Sequence, residues 1–180
     1  MKQAAEMQLI PEASVRQSGS LGATPSLARK QESAASDRRP LHAPQAMCEA
    51  YHYGKPSAFS RGTEVDLGVA RLVFVSGTAS VGPKGETLHA WDFRAQAWRA
   101  FENARAILND AGADWHDVVK VTIFLKDIAT YYPALNEVRC AYFKKIGLHV
   151  YPASTCVEAK LCRDKLLVEM ELTAVVRNGS

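Results

Sequence analysis

The sequence predicts an α/β (α+β) domain in which a mixed β-sheet carries two helices on one face. Short β-branched and aromatic runs alternate with two stretches of helical period, in the order β, α, β, α, β, β, with another strand expected before residue 70. Strands separated by helices of about ten to twenty residues place those helices as a layer over the sheet. The 180 residues suffice for one domain with a real core and not comfortably for two.

Residues 1–50 contain no Phe, Trp or Tyr, while all fifteen aromatic residues follow. With so little bulky apolar surface, this stretch cannot offset its ordering entropy and reads as a disordered tail or linker before a domain at 51–180. Glu6, Glu12, Glu32 and Asp37 set it apart from acidic-poor transit peptides. In "RLVFVSG" (71–77) a β-branched and aromatic run is stopped by glycine, and "VGPKGETL" (81–88) supplies the turn residues that follow. "DFRAQAWRAFENARAILNDAG" (92–112) repeats Ala97, Phe101, Ala104, Leu108 and Ala111 at steps of three and four, from a capping Asp92 to Gly112, and predicts an amphipathic helix. "DVVKVTIFLKD" (117–127) is a buried strand. "TYYPALNEVRCAYFKKIG" (130–147) puts Leu135, Val138, Tyr142 and Ile146 on one helical face. "YPASTCVEAKLCRDKLLVEMEL" (151–172) reads as strands near 154–159 and 166–176 joined by a tight charged turn at "CRDK".

A sheet covered on one face leaves the other open. In 167–172, Val168, Met170 and Leu172 share the face that meets the helices, with Leu167, Glu169 and Glu171 opposite. Ser154, Cys156 and Glu158 share one face of their strand, with Thr155, Val157 and Ala159 on the other. Several of these polar groups are therefore expected on sheet faces that the chain's own helices leave bare, facing water or a second copy.

Composition excludes some functions. Hydrophobic residues make up 47% and charged residues 23%, and the formal net charge is +3, so charge alone implies no acidic partner. No apolar run approaches the ~20 residues of a membrane span. Cys48, Cys140, Cys156 and Cys162 form no C-x-x-C pair and read as reduced thiols of a cytoplasmic protein. His42, His52, His89, His116 and His149 lack metal-ligand spacing, so no metal is expected. From residue 51 the chain has 16 Lys and Arg against 14 Asp and Glu, with no basic stripe, so nucleic acid is not an expected partner.

Five blocks in order, "FVSG" (74–77), "DVVKVTIFLKD" (117–127), "LNEVRCAYF" (135–143), "PASTCVEA" (152–159) and "LLVEMEL" (166–172), resemble those of the Rid family, the YjgF-type reactive intermediate deaminases. The resemblance spans about residues 55–176. It implies a chorismate-mutase-like fold, a homotrimer with an inner barrel, and small-molecule clefts between subunits. It also implies cofactor-free hydrolysis of enamine and imine intermediates to 2-keto acids and ammonia.

Active deaminases of the family read P-A-R-S-C-V-E where this chain has Pro152-Ala153-Ser154-Thr155-Cys156-Val157-Glu158. Their substrate-binding arginine is Ser154 here, one neutral hydroxyl in place of a charged, bidentate clamp. Phe59 stands where family members commonly carry a tyrosine. Glu169, Asn136, Cys156 and the Ser76–Gly77 turn match. The resemblance thus assigns Glu169 as the catalytic acid or water-positioning base, and Ser154, Thr155, Cys156, Asn136, Phe59, Ser76 and Gly77 as substrate contacts. Arg61 and Arg163 are offered as substitute cations on proximity in sequence alone. The same residues alone also suit glutamates paired with Lys or Arg on neighbouring strands, and a cysteine acting as a small apolar side chain. The run 155–172 is also similar to the carboxy-terminal half of chorismatases, which likewise protonate an electron-rich double bond. A non-catalytic metabolite-binding or assembly protein is the alternative from another class, and a chorismatase-like enzyme or a ribonuclease ranks lower.

Overall fold

The structure, a computed structural model, describes residues 38–178. Among the described residues six strands and two α-helices follow one another: β1 (Arg38–Leu41), β2 (Gly62–Asp66), β3 (Ala70–Ala79), α1 (Phe93–Asp110), β4 (Val118–Leu125), α2 (Ile128–Lys145), β5 (Ala153–Glu158) and β6 (Val168–Arg177). The strands form one six-stranded sheet in the order β1-β2-β3-β6-β4-β5. Among the described residues only the β4–β5 pair is parallel, as the intervening α2 allows.

Helix starts follow local chemistry. Asp92 caps α1 by accepting from the Ala95 N–H, and Asp127 caps α2 by accepting from the Thr130 N–H. The second helix therefore begins before the expected Thr130, and Glu158 of β5 adds an acceptor for the Ile128 N–H at 2.9 Å. Both helices cover the sheet face that carries Val73, Val75, Val121, Ile123, Val168, Met170 and Leu172. At the centre of this core the Phe101 ring lies 4.9 Å from Tyr142, 5.2 Å from Trp115 and 5.7 Å from Phe143.

Four expectations need correction. Residues 38–50 belong to the fold: β1 adds an edge strand to β2, and Leu41, Ala43, Met47 and Ala50 are buried. A short edge strand needs few apolar side chains, and their signal vanished in a composition averaged over fifty residues. The remainder of the expected tail, residues 1–37, lies outside the described residues. Second, β5 and β6 do not pair, because β4 lies between them. β6, with alternate residues buried, takes a central place, while the nearly fully exposed β5 takes the edge. Third, Ser154, Cys156 and Glu158 lie on the helix side of the sheet, where Cys156 packs against the core and Ser154 and Glu158 meet groups of α2; Thr155 and Val157 lie on the open side. Fourth, Gly77 does not end a strand but sits in a bulge inside β3. Trp115 and Trp98 pack against the core, whereas Trp91 is 65% exposed beneath the Lys126 ammonium.

Candidate functional site

The β3 bulge shapes the site. Pairing with β6 shifts between Val75 and Thr78, leaving Ser76 and Gly77 outside the regular ladder and bringing Ala79 opposite Glu169. The segment before β2 holds the bulge in place. The Ser76 N–H donates to the Arg61 carbonyl at 2.9 Å, and the Ser76 hydroxyl donates to the Ser60 carbonyl at 2.7 Å. The carboxyl of Glu169 lies directly against Gly77, where a Cβ would come within 2.1 Å of Oε1. Close approach, rather than backbone conformation, makes glycine the residue that lets Glu169 keep this place.

Glu169 faces a cavity of about 540 Å³ walled by Tyr53, Lys55, Phe59, Arg61, Gly77 and Arg163, among others. Arg61 is only 3% exposed; its Nε donates to the Cys48 carbonyl at 2.9 Å and its Nη2 to the Tyr53 hydroxyl. Its guanidinium carbon lies 5.2 Å from the Tyr53 ring centre and 5.5 Å from that of Phe59. Arg163 stands 4.8 Å from the same Tyr53 ring and donates to the Gly85 carbonyl at 2.7 Å. Phe59, although it lacks a hydroxyl, thus serves as a cation–π surface. Among the described residues neither arginine forms an ion pair, and neither does Glu169. Burial pushes the Glu169 carboxyl above its ordinary range and Glu171 adds to the rise, while Arg163 and Arg61 oppose it. A carboxylic acid that holds its proton longer, near two cations, suits proton donation to an anionic substrate.

Two buried amides hold the cavity walls. Gln96 of α1 donates to the carbonyls of His89 and Lys165 at 3.0 and 2.8 Å and accepts from the Leu167 N–H at 2.9 Å. Asn103 donates to the carbonyls of Ala79 and Val81, both at 2.9 Å. Ala79, Val81 and Leu166 line the cavity, so α1 positions it from the far side of the sheet.

The other assigned residues lie elsewhere on the chain. Ser154 borders a separate cavity of about 260 Å³, with Arg139 and Tyr151. Arg139 Nη1 donates to the Ser154 hydroxyl at 3.1 Å, and Nη2 donates to Asn136 Oδ1 at 2.5 Å. Thr155 accepts from the Lys120 ammonium at 2.5 Å on the open sheet face. Burial raises the pKa of the Cys156 thiol against the opposing charge of Arg139, a setting that disfavours a nucleophilic thiolate. Ser76 borders a third hollow, of about 300 Å³, with Phe74, Thr122 and Glu171. Within one chain, Glu169, Gly77, Phe59 and Arg163 therefore come together, joined by Arg61, whereas Ser154, Thr155, Cys156 and Asn136 form a second group along the β5 edge. Tyr53, Lys55 and Arg139 were missed in the sequence. For Arg139 a signal existed in its i, i+3 spacing from Asn136 on one helix face.

Among the described residues no helix is long and apolar enough to cross a membrane, and no group of three or more His, Cys, Asp or Glu is placed to hold a metal ion. The helix-backed mixed sheet and its bulge-seated carboxyl define a small α+β domain of YjgF type. The family described as Endoribonuclease L-PSP, which takes in YjgF, RutC and Rid proteins, matches residues 56–176, and the chain belongs to it. The chain is 36% identical over 113 residues to the 2-iminobutanoate/2-iminopropanoate deaminase of Salmonella typhimurium, a match covering 63% of this chain and 84% of that protein. With a RutC family protein of Pyrococcus abyssi it shares 37% identity over 106 residues, covering 59% and 80%. The crystal structure of the YjgF gene product of Escherichia coli superposes with a TM-score of 0.61 at 30% identity, covering 78% of this chain and 99% of that one. The structure of Escherichia coli TdcF with bound serine gives 0.62 at 30% identity, with the same coverage.

Proposed function

We propose that this protein is a cofactor-free hydrolase of enamine, imine or related enol-type intermediates, acting as a cytoplasmic homotrimer with its site between subunits. The observation that carries the reading is the Glu169 carboxyl, seated against Gly77 with a raised pKa in a cavity that also holds Arg61 and Arg163. Family membership and relatives named as imine deaminases support the reaction type. In the proposed chemistry, neutral Glu169 protonates the electron-rich carbon of an enamine, giving an iminium ion. Water adds to the iminium carbon, one of its protons passes to nitrogen, and the carbinolamine expels ammonia as its hydroxyl proton returns to the Glu169 carboxylate, leaving a ketone and the neutral acid. A 2-imino acid enters at the imine stage and yields a 2-keto acid and ammonia.

The trimer is inferred from the open sheet face, where Phe74 and Val157 are 42% and 38% exposed. A partner that covers that face and also meets the free β5 edge would bring the β5 group of one chain toward the Glu169 cavity of the next, uniting the separated residues. With a hydroxyl at 154 instead of a guanidinium, turnover of the simplest 2-imino acids should fall below that of typical deaminases. The same substitution favours a second reading, a non-catalytic metabolite-binding protein of this fold.

Ammonia release from an imine generated in situ by an amino-acid oxidase separates the two. The wild-type protein should accelerate release, Glu169→Gln should lose at least tenfold, and Ser154→Arg should gain. Equal rates for wild type and Glu169→Gln would remove the acid from the mechanism, and no acceleration by any variant would leave the binding reading.

A further inference from the structure

We propose that Arg139 is the anion anchor of this protein, holding the carboxylate of its ligand beside Ser154 and Asn136. The inference deepens the proposed function by naming a specificity-determining residue, and it rests on that reading only for the link to hydrolysis.

The guanidinium of Arg139 is built into its place. Nη1 donates to the Ser154 hydroxyl at 3.1 Å and Nη2 to Asn136 Oδ1 at 2.5 Å, so a helix residue and an edge-strand residue fix its position from two sides. Both acceptors are neutral. Arg39, Arg71, Arg94 and Arg105 pair with carboxylates, whereas among the described residues no carboxylate pairs with Arg139. Of a guanidinium's five N–H donors, two are engaged here and three remain, with the full positive charge uncompensated.

The surroundings favour an organic anion. Arg139 borders the cavity of about 260 Å³ together with Val121, Phe143, Tyr151 and Pro152. The Phe143 and Tyr151 rings stack at 5.8 Å, giving a flat apolar wall beside the charge. That volume lies below the roughly 300 Å³ at which drug-sized sites begin, so the fitting ligand is a small carboxylate with a short apolar body. Half-exposed, water-screened charges bind inorganic ions weakly; a guanidinium against aromatic walls selects a carboxylate whose carbon chain is also buried. β5 pairs only with β4 among the described residues, so the Ser154 edge is open to a neighbouring copy. The charge absent from the strand at 154 is thereby restored from the helix, through a residue that rests on the serine itself.

The probe is 2-oxobutanoate, the keto acid released by hydrolysis of 2-iminobutanoate, titrated calorimetrically into the full chain. Wild type should bind it. Arg139→Gln should weaken binding at least tenfold with an unchanged melting temperature, and Arg139→Lys should lie between. In the Arg139→Gln background, Ser154→Arg should recover binding by returning a guanidinium to the same place, which a merely structural role for Arg139 would not permit. Wild-type affinity in Arg139→Gln, or no binding by the wild type at millimolar keto acid, overturns the inference; if Glu169-dependent ammonia release persists in either case, the proposed hydrolysis still stands. Arg139-dependent binding without hydrolysis by any variant supports the anchor and overturns the hydrolase reading.

Discussion

Gly77 and Glu169 act as one unit, because the carboxyl occupies the space that any side chain at 77 would need. The clash expected in Gly77→Ala is with the far end of a flexible side chain, so the backbone can stay while Glu169 swings away. Gly77→Ala should therefore fold within about 1 kcal/mol of wild type yet lose at least tenfold in ammonia release, measured by thermal melting and a coupled assay. The raised pKa of Glu169 gives a second prediction. A carboxyl that resists ionisation in the fold destabilises it once pH forces ionisation, so its contribution is favourable at low pH and is lost as pH rises through the raised value. Glu169→Gln should melt higher than wild type at pH 8, and the gain should vanish below the ordinary carboxyl value of 4.5. Equal melting temperatures at pH 8 would show that burial in the cavity does not strain the charge.

At the scale of elements, the segment from Leu41 to Tyr53 and the helix α1 hold the cavity in place. Cys48 and Tyr53 anchor Arg61, and Leu41 and Met47 of the same stretch are buried in the core. Deleting residues 1–50 should therefore destabilise the domain sharply, and Leu41→Ala alone should cost about 2–5 kcal/mol in urea denaturation. Gln96 joins α1 to the loops around His89 and Lys165 through three hydrogen bonds. Replacing it with leucine strands the buried Leu167 N–H and frees both carbonyls, an expected loss of about 2–4 kcal/mol. Because Leu166 lines the cavity, the same variant should also raise KM in the ammonia-release assay. An unchanged KM would separate the α1 clamp from the site.

At the scale of the whole molecule, the exposed Phe74, Val157 and Val175 of the open sheet face lead us to expect a trimer in sedimentation equilibrium, with Phe74→Lys shifting it toward monomer. A monomeric wild type at micromolar concentration would sink both the trimer and the shared cleft. The helices at 92–112 and 130–147, the strands at 71–77 and 117–127, and the inward face of Val168, Met170 and Leu172 were legible in the sequence, because period and capping are local properties that survive in the fold. The family blocks also singled out Glu169 and Gly77. Three features were not legible: which strand β5 pairs with, the bulge that seats Glu169, and the Arg139 contact to Ser154. The sequence by itself determined both helices, the strands from residue 70 onward and their inward faces. Only the tertiary structure decided the strand order, the inclusion of residues 38–50, and the gathering of Arg61, Arg163 and Glu169 around one cavity. The reason is that these depend on contacts between residues far apart in the chain, such as Ser76 with Arg61 or Gln96 with Leu167, and no local pattern records such distances.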